Sequence, residues 1–205
     1  MVERIHTPLF LTHEALKNQR HLSVFATPHS SWWNAGGLYT TYFLEAKRLV
    51  PTDRTTPVLC IGPGTGVAPM RAVIQERVHA GITGDTLYFG CRHASKDHHY
   101  GAEWKELADE GKLAYRAAFS RDGPEGKART YVQDLLREDA ARVWELVGVQ
   151  GAWVYISGSA NKMPAAVRAA IAHAVRTEGG RTEEEAKEYV AGMEREGRLI
   201  EECWS

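Results

Sequence analysis

The chain has 205 residues, 43% of them apolar and 25% charged, enough to bury one substantial core or two small ones. Its 25 basic residues are balanced by 26 acidic ones, so no broad field draws nucleic acid or an anionic membrane, and phosphate recognition must be local. Cys60, Cys91 and Cys203 stand far apart in no metal-ligand spacing and read as free thiols of a reducing, cytoplasmic compartment, while no apolar run reaches the length of a membrane span.

Residues 1–57 hold scattered His, Thr, Asn and Pro, an aromatic pair at Trp32 and Trp33, and one helical segment from Thr40 to Arg48. A closed six-stranded barrel needs about sixty to eighty residues, more than this stretch offers. From Val58 onward short apolar strands alternate with helices. The strands are Val58 to Ile61, Thr86 to Phe89, Leu113 to Phe119, Trp153 to Ser157 and Arg198 to Glu201. The helices are Ala68 to His79, Ala102 to Asp109, Tyr131 to Arg137, Ala140 to Val147, Pro164 to Arg176 and Glu183 to Arg195. Thr182 and Glu185 form a capping box at the start of the last helix. The alternation predicts an α/β fold, a doubly wound, mainly parallel five-stranded Rossmann-like sheet with helices on both faces.

In such a sheet ligands lie across the carboxyl ends of the strands, so the residues that follow each strand are the candidates. After the first strand come Gly62, Gly64, Thr65 and Gly66, followed by a helix with Pro69 in its first turn. Three missing β-carbons let backbone amides approach a pyrophosphate, the helix N-terminus adds partial positive charge, and Thr65 adds a hydroxyl. The loop lacks the Gly-Lys-Ser/Thr of a Walker A loop and the third glycine of GxGxxG. A tight βα connection without a ligand is the competing reading.

After the second strand come Gly90, Cys91 and Arg92; after the third, Ser120 and Arg121, then Arg129, Tyr131 and Gln133. A site for an unphosphorylated adenosine ribose offers a carboxylate to the diol, whereas a 2′-phosphate needs guanidinium, hydroxyl and aromatic partners. Ser120, Arg121, Arg129 and Tyr131 supply the second set. A solvated basic loop opening a helix accounts for the same residues, and Asp122 beside Arg121 keeps that reading open. After the fourth strand come Gly158, Ser159 and Asn161, where glycine permits close approach and the polar groups can bond to cofactor oxygens. His93, His98 and His99 are close together but lack the carboxylate or thiol that would complete a tetrahedral set, so no metal site is expected.

The run Gly-Pro-Gly-Thr-Gly-Val-Ala-Pro at 62–69, Phe-Ser-Arg at 119–121 with Tyr-Val-Gln at 131–133, Gly-Cys-Arg at 90–92 and the ending Glu-Cys-Trp-Ser at 202–205 resemble motifs of the diflavin reductases of the ferredoxin-NADP reductase superfamily. The resemblance covers residues 56–205, as an NADP(H)-binding domain, and leaves 1–55 as an incomplete or shortened remnant of a FAD-binding domain. It implies that Cys91 and Arg92 lie against the nucleotide, that Trp204 covers a flavin ring and swings aside for nicotinamide, and that Glu202 assists the transfer. Many relatives carry Cys-Gly at the fourth strand's end; Ser157-Gly158 stands here, which limits Ser157 to packing and hydrogen bonding at the reacting ring. Gly37 to Thr40 resembles a FAD pyrophosphate turn, with Gly37 and Thr40 as contacts, although the family's Arg-x-Tyr-Ser/Thr element is absent.

The member type that fits best is the NADPH-dependent diflavin oxidoreductase. It implies NADPH as coenzyme, FAD as hydride acceptor unless this chain has lost it, and FMN in the full-length family member. It implies as partners a flavodoxin-like FMN domain and an iron-sulfur assembly protein of the anamorsin type, in the cytoplasm, with neither nucleic acid nor membrane. A non-catalytic NADP-binding fragment and a sister reductase serving a P450 or sulfite reductase acceptor share the same motifs.

Overall fold

The computed structural model describes residues 51, 53–124 and 129–204, so the expected helix at 40–48 and the candidates Gly37 and Thr40 lie outside the described residues. The chain enters the sheet at β1 (Val58–Ile61), whose four residues are all fully buried. A 3-10 turn at Gly64–Gly66 runs directly into α1 (Val67–His79), and α1 buries Val67, Met70, Val73 and Ile74. Then come β2 (Asp85–Cys91), the short α2 (Ala94–Asp97), α3 (Gly101–Asp109) and β3 (Leu113–Phe119). The second half holds α4 (Val132–Glu138), α5 (Ala140–Trp144), β4 (Trp153–Ser159), α6 (Met163–Thr177), α7 (Glu183–Arg195) and β5 (Leu199–Trp204).

All five strands are parallel, in the order β3-β2-β1-β4-β5. The chain winds outward from β1 through β2 to β3, then returns across the sheet to β4 and β5. The winding therefore reverses between β1 and β4, the switch point at whose carboxyl-end crevice doubly wound sheets bind their ligands. One face packs Leu59, Ile61, Val154 and Ile156 against α4, α5, α6 and α7. The other packs Val58, Cys60, Leu87, Phe89 and Tyr155 against α1 and Trp104 of α3. Burial on both faces is what makes the inner strands β1, β2 and β4 read as continuous apolar runs, while the edge strands β3 and β5 are only partly buried.

Several boundaries differ from the sequence expectation, for one physical reason. A parallel ladder needs backbone amides and carbonyls, not apolar side chains, so strands continue past the point where hydrophobicity stops. Thus β2 runs on through Gly90 and Cys91, β4 through Gly158 and Ser159, and β5 reaches Trp204, with Cα pairs Gly90↔Ala118, Gly158↔Cys203 and Ser159↔Trp204. The expected helix at 140–147 is shorter: α5 ends at Trp144 and a π-helical turn follows over Glu145–Val149. Gly148 lets that turn form, because a β-carbon there would stand 2.3 Å from the Trp144 ring. The capping box at α7 is present, with Thr182 N donating to Glu185 Oε2 at 2.9 Å and Glu185 N to Thr182 Oγ1 at 3.2 Å.

At the opposite, amino end of the sheet, Asp85 and Arg77 form a buried pair that sequence patterning did not single out. Arg77 Nε reaches Asp85 Oδ2 at 2.7 Å and its Nη2 reaches Asp85 Oδ1 at 3.0 Å and the Thr56 carbonyl at 2.8 Å. Asp85 Oδ1 also accepts from Val58 N at 3.0 Å, which ties the first residue of β1 to β2.

Candidate functional site

The glycine loop after β1 sits where the winding reverses, and its shape depends on close backbone packing. A β-carbon on Gly66 would stand 2.0 Å from the Ser157 carbonyl oxygen and 2.5 Å from its carbon, so the loop lies directly on the β4 backbone. At Gly62 the same addition would come within 2.8 Å of the Gly66 carbonyl oxygen. Gly64 faces open space but has φ +59°, the left-handed region that glycine adopts without strain. Gly62 N donates to Tyr88 O and Gly66 N to Pro63 O, both at 3.1 Å, which fixes the loop from both ends. The amides of Gly64 and Thr65, which open the helical run to His79, have no preceding helical carbonyl to bond, and Thr65 is exposed beside them at the positive end of the run.

Beside this loop, β4 contributes Ser157 and Gly158. Ser157 is completely buried, and its hydroxyl has no hydrogen-bond partner among the described residues. Gly158, at φ +149°, would bring a β-carbon to 3.1 Å from Met163 Cε and 3.4 Å from the Pro63 carbonyl oxygen. Ser159 and Asn161 are exposed and lean on each other, Asn161 Nδ2 donating to Ser159 Oγ at 3.0 Å. Ser157 and Glu202 are Cα partners in the parallel ladder and so project to the same face, as does Trp204 two residues on. Trp204 is 44% exposed, and Ala160 N donates to its carbonyl at 2.8 Å. On the other face of β5, Arg168 of α6 bridges Glu201 at 2.9 Å and Glu194 at 2.7 Å, and burial raises the Glu201 carboxyl above its ordinary range despite that arginine.

The loops leaving β2 and β3 are stitched together. Ser120 N donates to Cys91 O and Arg121 N to Arg92 O, both at 2.9 Å, and Ser120 Oγ donates to Cys91 O at 3.3 Å. The side chains of Arg92, Arg121 and Arg129 are exposed and make no ion pair among the described residues. Tyr131, 42% exposed, precedes α4, and its N–H is held by Asp134 Oδ2 at 2.9 Å; Gln133 follows in the first turn. Cys91 is half-buried, with burial and then Asp97 and Asp122 pushing its thiol up to about 11, so it is a protonated packing group at neutral pH. Gly90, the first residue of the Gly-Cys-Arg motif, has no room for a β-carbon: one would stand 2.8 Å from Val132 Cγ1.

The structure thus brings the strand-end candidates from 62 to 204 to one edge of the sheet. The three histidines have separate engagements. His93 pairs with Asp122, His98 is stacked between Phe89 and Tyr115, and the His99 carbonyl accepts from Trp104 Nε1. The Asp122 contact was legible in the sequence only as a nuisance charge beside Arg121, since nothing in the spacing ties residue 122 to residue 93.

Comparison with known proteins agrees with this geometry. Residues 60–169 match the family described as the oxidoreductase NAD-binding domain. The chain is 44% identical over 155 residues to NADPH-dependent diflavin oxidoreductase 1 of Xenopus laevis, covering 76% of this chain and 25% of that protein. It is 40% identical over 182 residues to the protein of that name from Danio rerio, covering 86% and 30%. It is also 40% identical over 169 residues to the NADPH–cytochrome P450 reductase of Drosophila melanogaster, covering 80% and 24%. The chain spans less than a third of the length of these relatives. With a parallel five-stranded sheet, a glycine loop at its switch point and these matches in register, the chain belongs to the oxidoreductase NAD-binding domain family and corresponds to the NADPH-binding domain of the diflavin reductases.

Proposed function

We propose that residues 56–205 bind NADPH in a flavoprotein reductase that passes hydride to FAD and then electrons, through FMN, to a cytoplasmic iron-sulfur assembly partner. On this reading residues 1–55 belong to the FAD-binding part. The observation that carries the coenzyme assignment is the pairing of a loop that lies on the β4 backbone with exposed guanidiniums across the same edge that make no ion pair among the described residues. The first holds a pyrophosphate by backbone amides; the second meets a 2′-phosphate.

The residues fit that ligand. Gly62, Gly64, Thr65 and Gly66 hold the pyrophosphate, Ser120, Arg121, Arg129 and Gln133 take the 2′-phosphate side, Tyr131 stacks on adenine, and Cys91 with Arg92 backs the adenosine. Gly158, Ser159 and Asn161 accommodate the nicotinamide half, which leads toward Ser157. NADPH, when bound, supplies a hydride to the flavin. Ser157 offers a buried hydroxyl to the reacting edge without forming a thiolate, Glu202 places a carboxylate on the same face, and Trp204 shields the ring position from water.

Calorimetric titration of NADP⁺ and NAD⁺ tests this. The wild-type chain prefers NADP⁺, and Arg121→Ala with Arg129→Ala weakens NADP⁺ on the order of 100-fold or more, leaving NAD⁺ unchanged, because charge-assisted phosphate contacts contribute about 1.5–3 kcal/mol each. Comparable affinity of the wild type for both coenzymes would overturn the assignment. The match to the P450 reductase favours a second reading for the acceptor. Electron delivery by the flavin-loaded protein to a haem monooxygenase, and not to an iron-sulfur protein, would select it.

A further inference from the structure

The rim of the crevice formed by the β2 and β3 loops contains an acid in an awkward position. Asp122 directly follows Arg121, and a carboxylate there, left bare, would bind that guanidinium itself or repel an incoming phosphate dianion. It would also offer the acceptor that favours an unphosphorylated ribose diol. Both of its oxygens are engaged elsewhere. Oδ1 lies 2.8 Å from His93 Nδ1, and Oδ2 accepts the Ala94 N–H at 2.7 Å, at the start of α2. An ionised carboxylate only accepts, so His93 Nδ1 carries the proton. The Ala94 and His93 bonds hold the Asp122 carboxyl below its ordinary range, and Lys96 on α2 adds a favourable charge. Meanwhile the backbone of Arg121 is anchored separately, through its N–H to the Arg92 carbonyl at 2.9 Å.

We propose that His93 is a coenzyme-selectivity residue: by occupying Asp122 it keeps that carboxylate away from Arg121 and from the adenylate ribose, so the rim takes a 2′-phosphorylated coenzyme in preference to its unphosphorylated analogue. His93 acts through Asp122 and is a positioning residue; it touches neither phosphate nor ribose. The inference rests on the reading that Arg121 meets the 2′-phosphate.

The experiment is calorimetric titration of NADP⁺ and NAD⁺ against the full 205-residue chain and five variants. His93→Leu removes the donor and lowers the NADP⁺/NAD⁺ affinity ratio about tenfold, partly by strengthening NAD⁺. His93→Asn, whose amide nitrogen stands near the position of Nδ1, keeps the ratio within about threefold of wild type. His93→Leu with Asp122→Asn restores it, because no free carboxylate remains; Asp122→Asn alone leaves it unchanged. A rescue by the second substitution is something a merely structural role for His93 would not produce. If Arg121→Ala abolishes selectivity while His93→Leu keeps it, or if the double variant fails to recover, the inference is overturned and the 2′-phosphate reading stands. If Arg121→Ala itself keeps wild-type selectivity, that reading falls and the inference with it.

Discussion

Gly66→Ala isolates one contact. The residue has φ −62° and ψ −13°, ordinary helical values, so alanine meets no backbone strain there and is intrinsically a better helix former. What it meets is the β4 backbone: a β-carbon 2.0 Å from the Ser157 carbonyl oxygen, 2.5 Å from its carbon and 2.9 Å from Gly158 N. Restoring van der Waals contact near 3.4 Å requires the loop and strand to part by more than 1 Å, and neither is a flexible side chain that could turn away. Overpacking of this kind costs typically about 1–3 kcal/mol, and the upper end applies where both partners are backbone. For a domain of this size 1 kcal/mol shifts the unfolding midpoint by about 2–4 °C, so a loss of about 6–12 °C is expected in a calorimetric scan. The control is Gly64→Ala, which has open space around it and φ +59°, and loses only the about 1–2 kcal/mol of a left-handed residue. Since one misaligned charge-assisted amide bond is worth about 1.5–3 kcal/mol, Gly66→Ala also weakens NADP⁺ at least tenfold. A Gly66→Ala protein melting within 2 °C of wild type with unchanged NADP⁺ affinity would refute the claim that the loop rests on β4.

Arg77→Met leaves the Asp85 carboxylate buried without its guanidinium and destabilises the fold by about 3–5 kcal/mol in urea titrations, while Arg77→Met with Asp85→Asn recovers a substantial part of that loss; equal stability of the single and double variants would contradict this account. His98 is packed against Phe89 and Phe119, with ring centroids 5.4 Å and 5.1 Å away, and burial followed by His99 lowers its pKa below the usual 6.5. The folded state therefore resists a proton that the unfolded chain accepts, so the associated stability is whole above pH 6.5 and is lost as pH falls through the lowered folded value. Wild type should lose more stability than His98→Gln between pH 7.5 and pH 5; equal losses would show that this imidazole is not the group responsible.

The fold was legible because its inner strands are buried on both faces: Val58 to Ile61 and Trp153 to Ser157 can be found by hydrophobicity alone. The ends of the strands were not, since Gly90, Gly158 and Glu202 join the ladder through backbone groups that carry no compositional signal. Yet these are the residues that frame the site. The glycine loop was readable as a phosphate turn, but not that Gly66 is needed for contact with a strand nearly a hundred positions away. The Asp122 carboxylate shows the same limit from the other side. As a sequence neighbour of Arg121 it argues against phosphate binding, and only the fold, by placing His93 and the Ala94 amide on its two oxygens, turns it into part of the rim.

The contact between Gly66 and Ser157 has a consequence for anyone wishing to retune this crevice. Through β4 the glycine loop is continuous with Gly158 and, by the parallel ladder, with Cys203 and Trp204, so these parts form one stiff gauge whose span is set by main-chain geometry. Side-chain substitutions can barely adjust it without spoiling both ends at once. The β3 rim, built from exposed side chains on stitched loops, carries no such coupling, and it is there that coenzyme choice can be rewritten while the reach from phosphate to reacting ring stays constant.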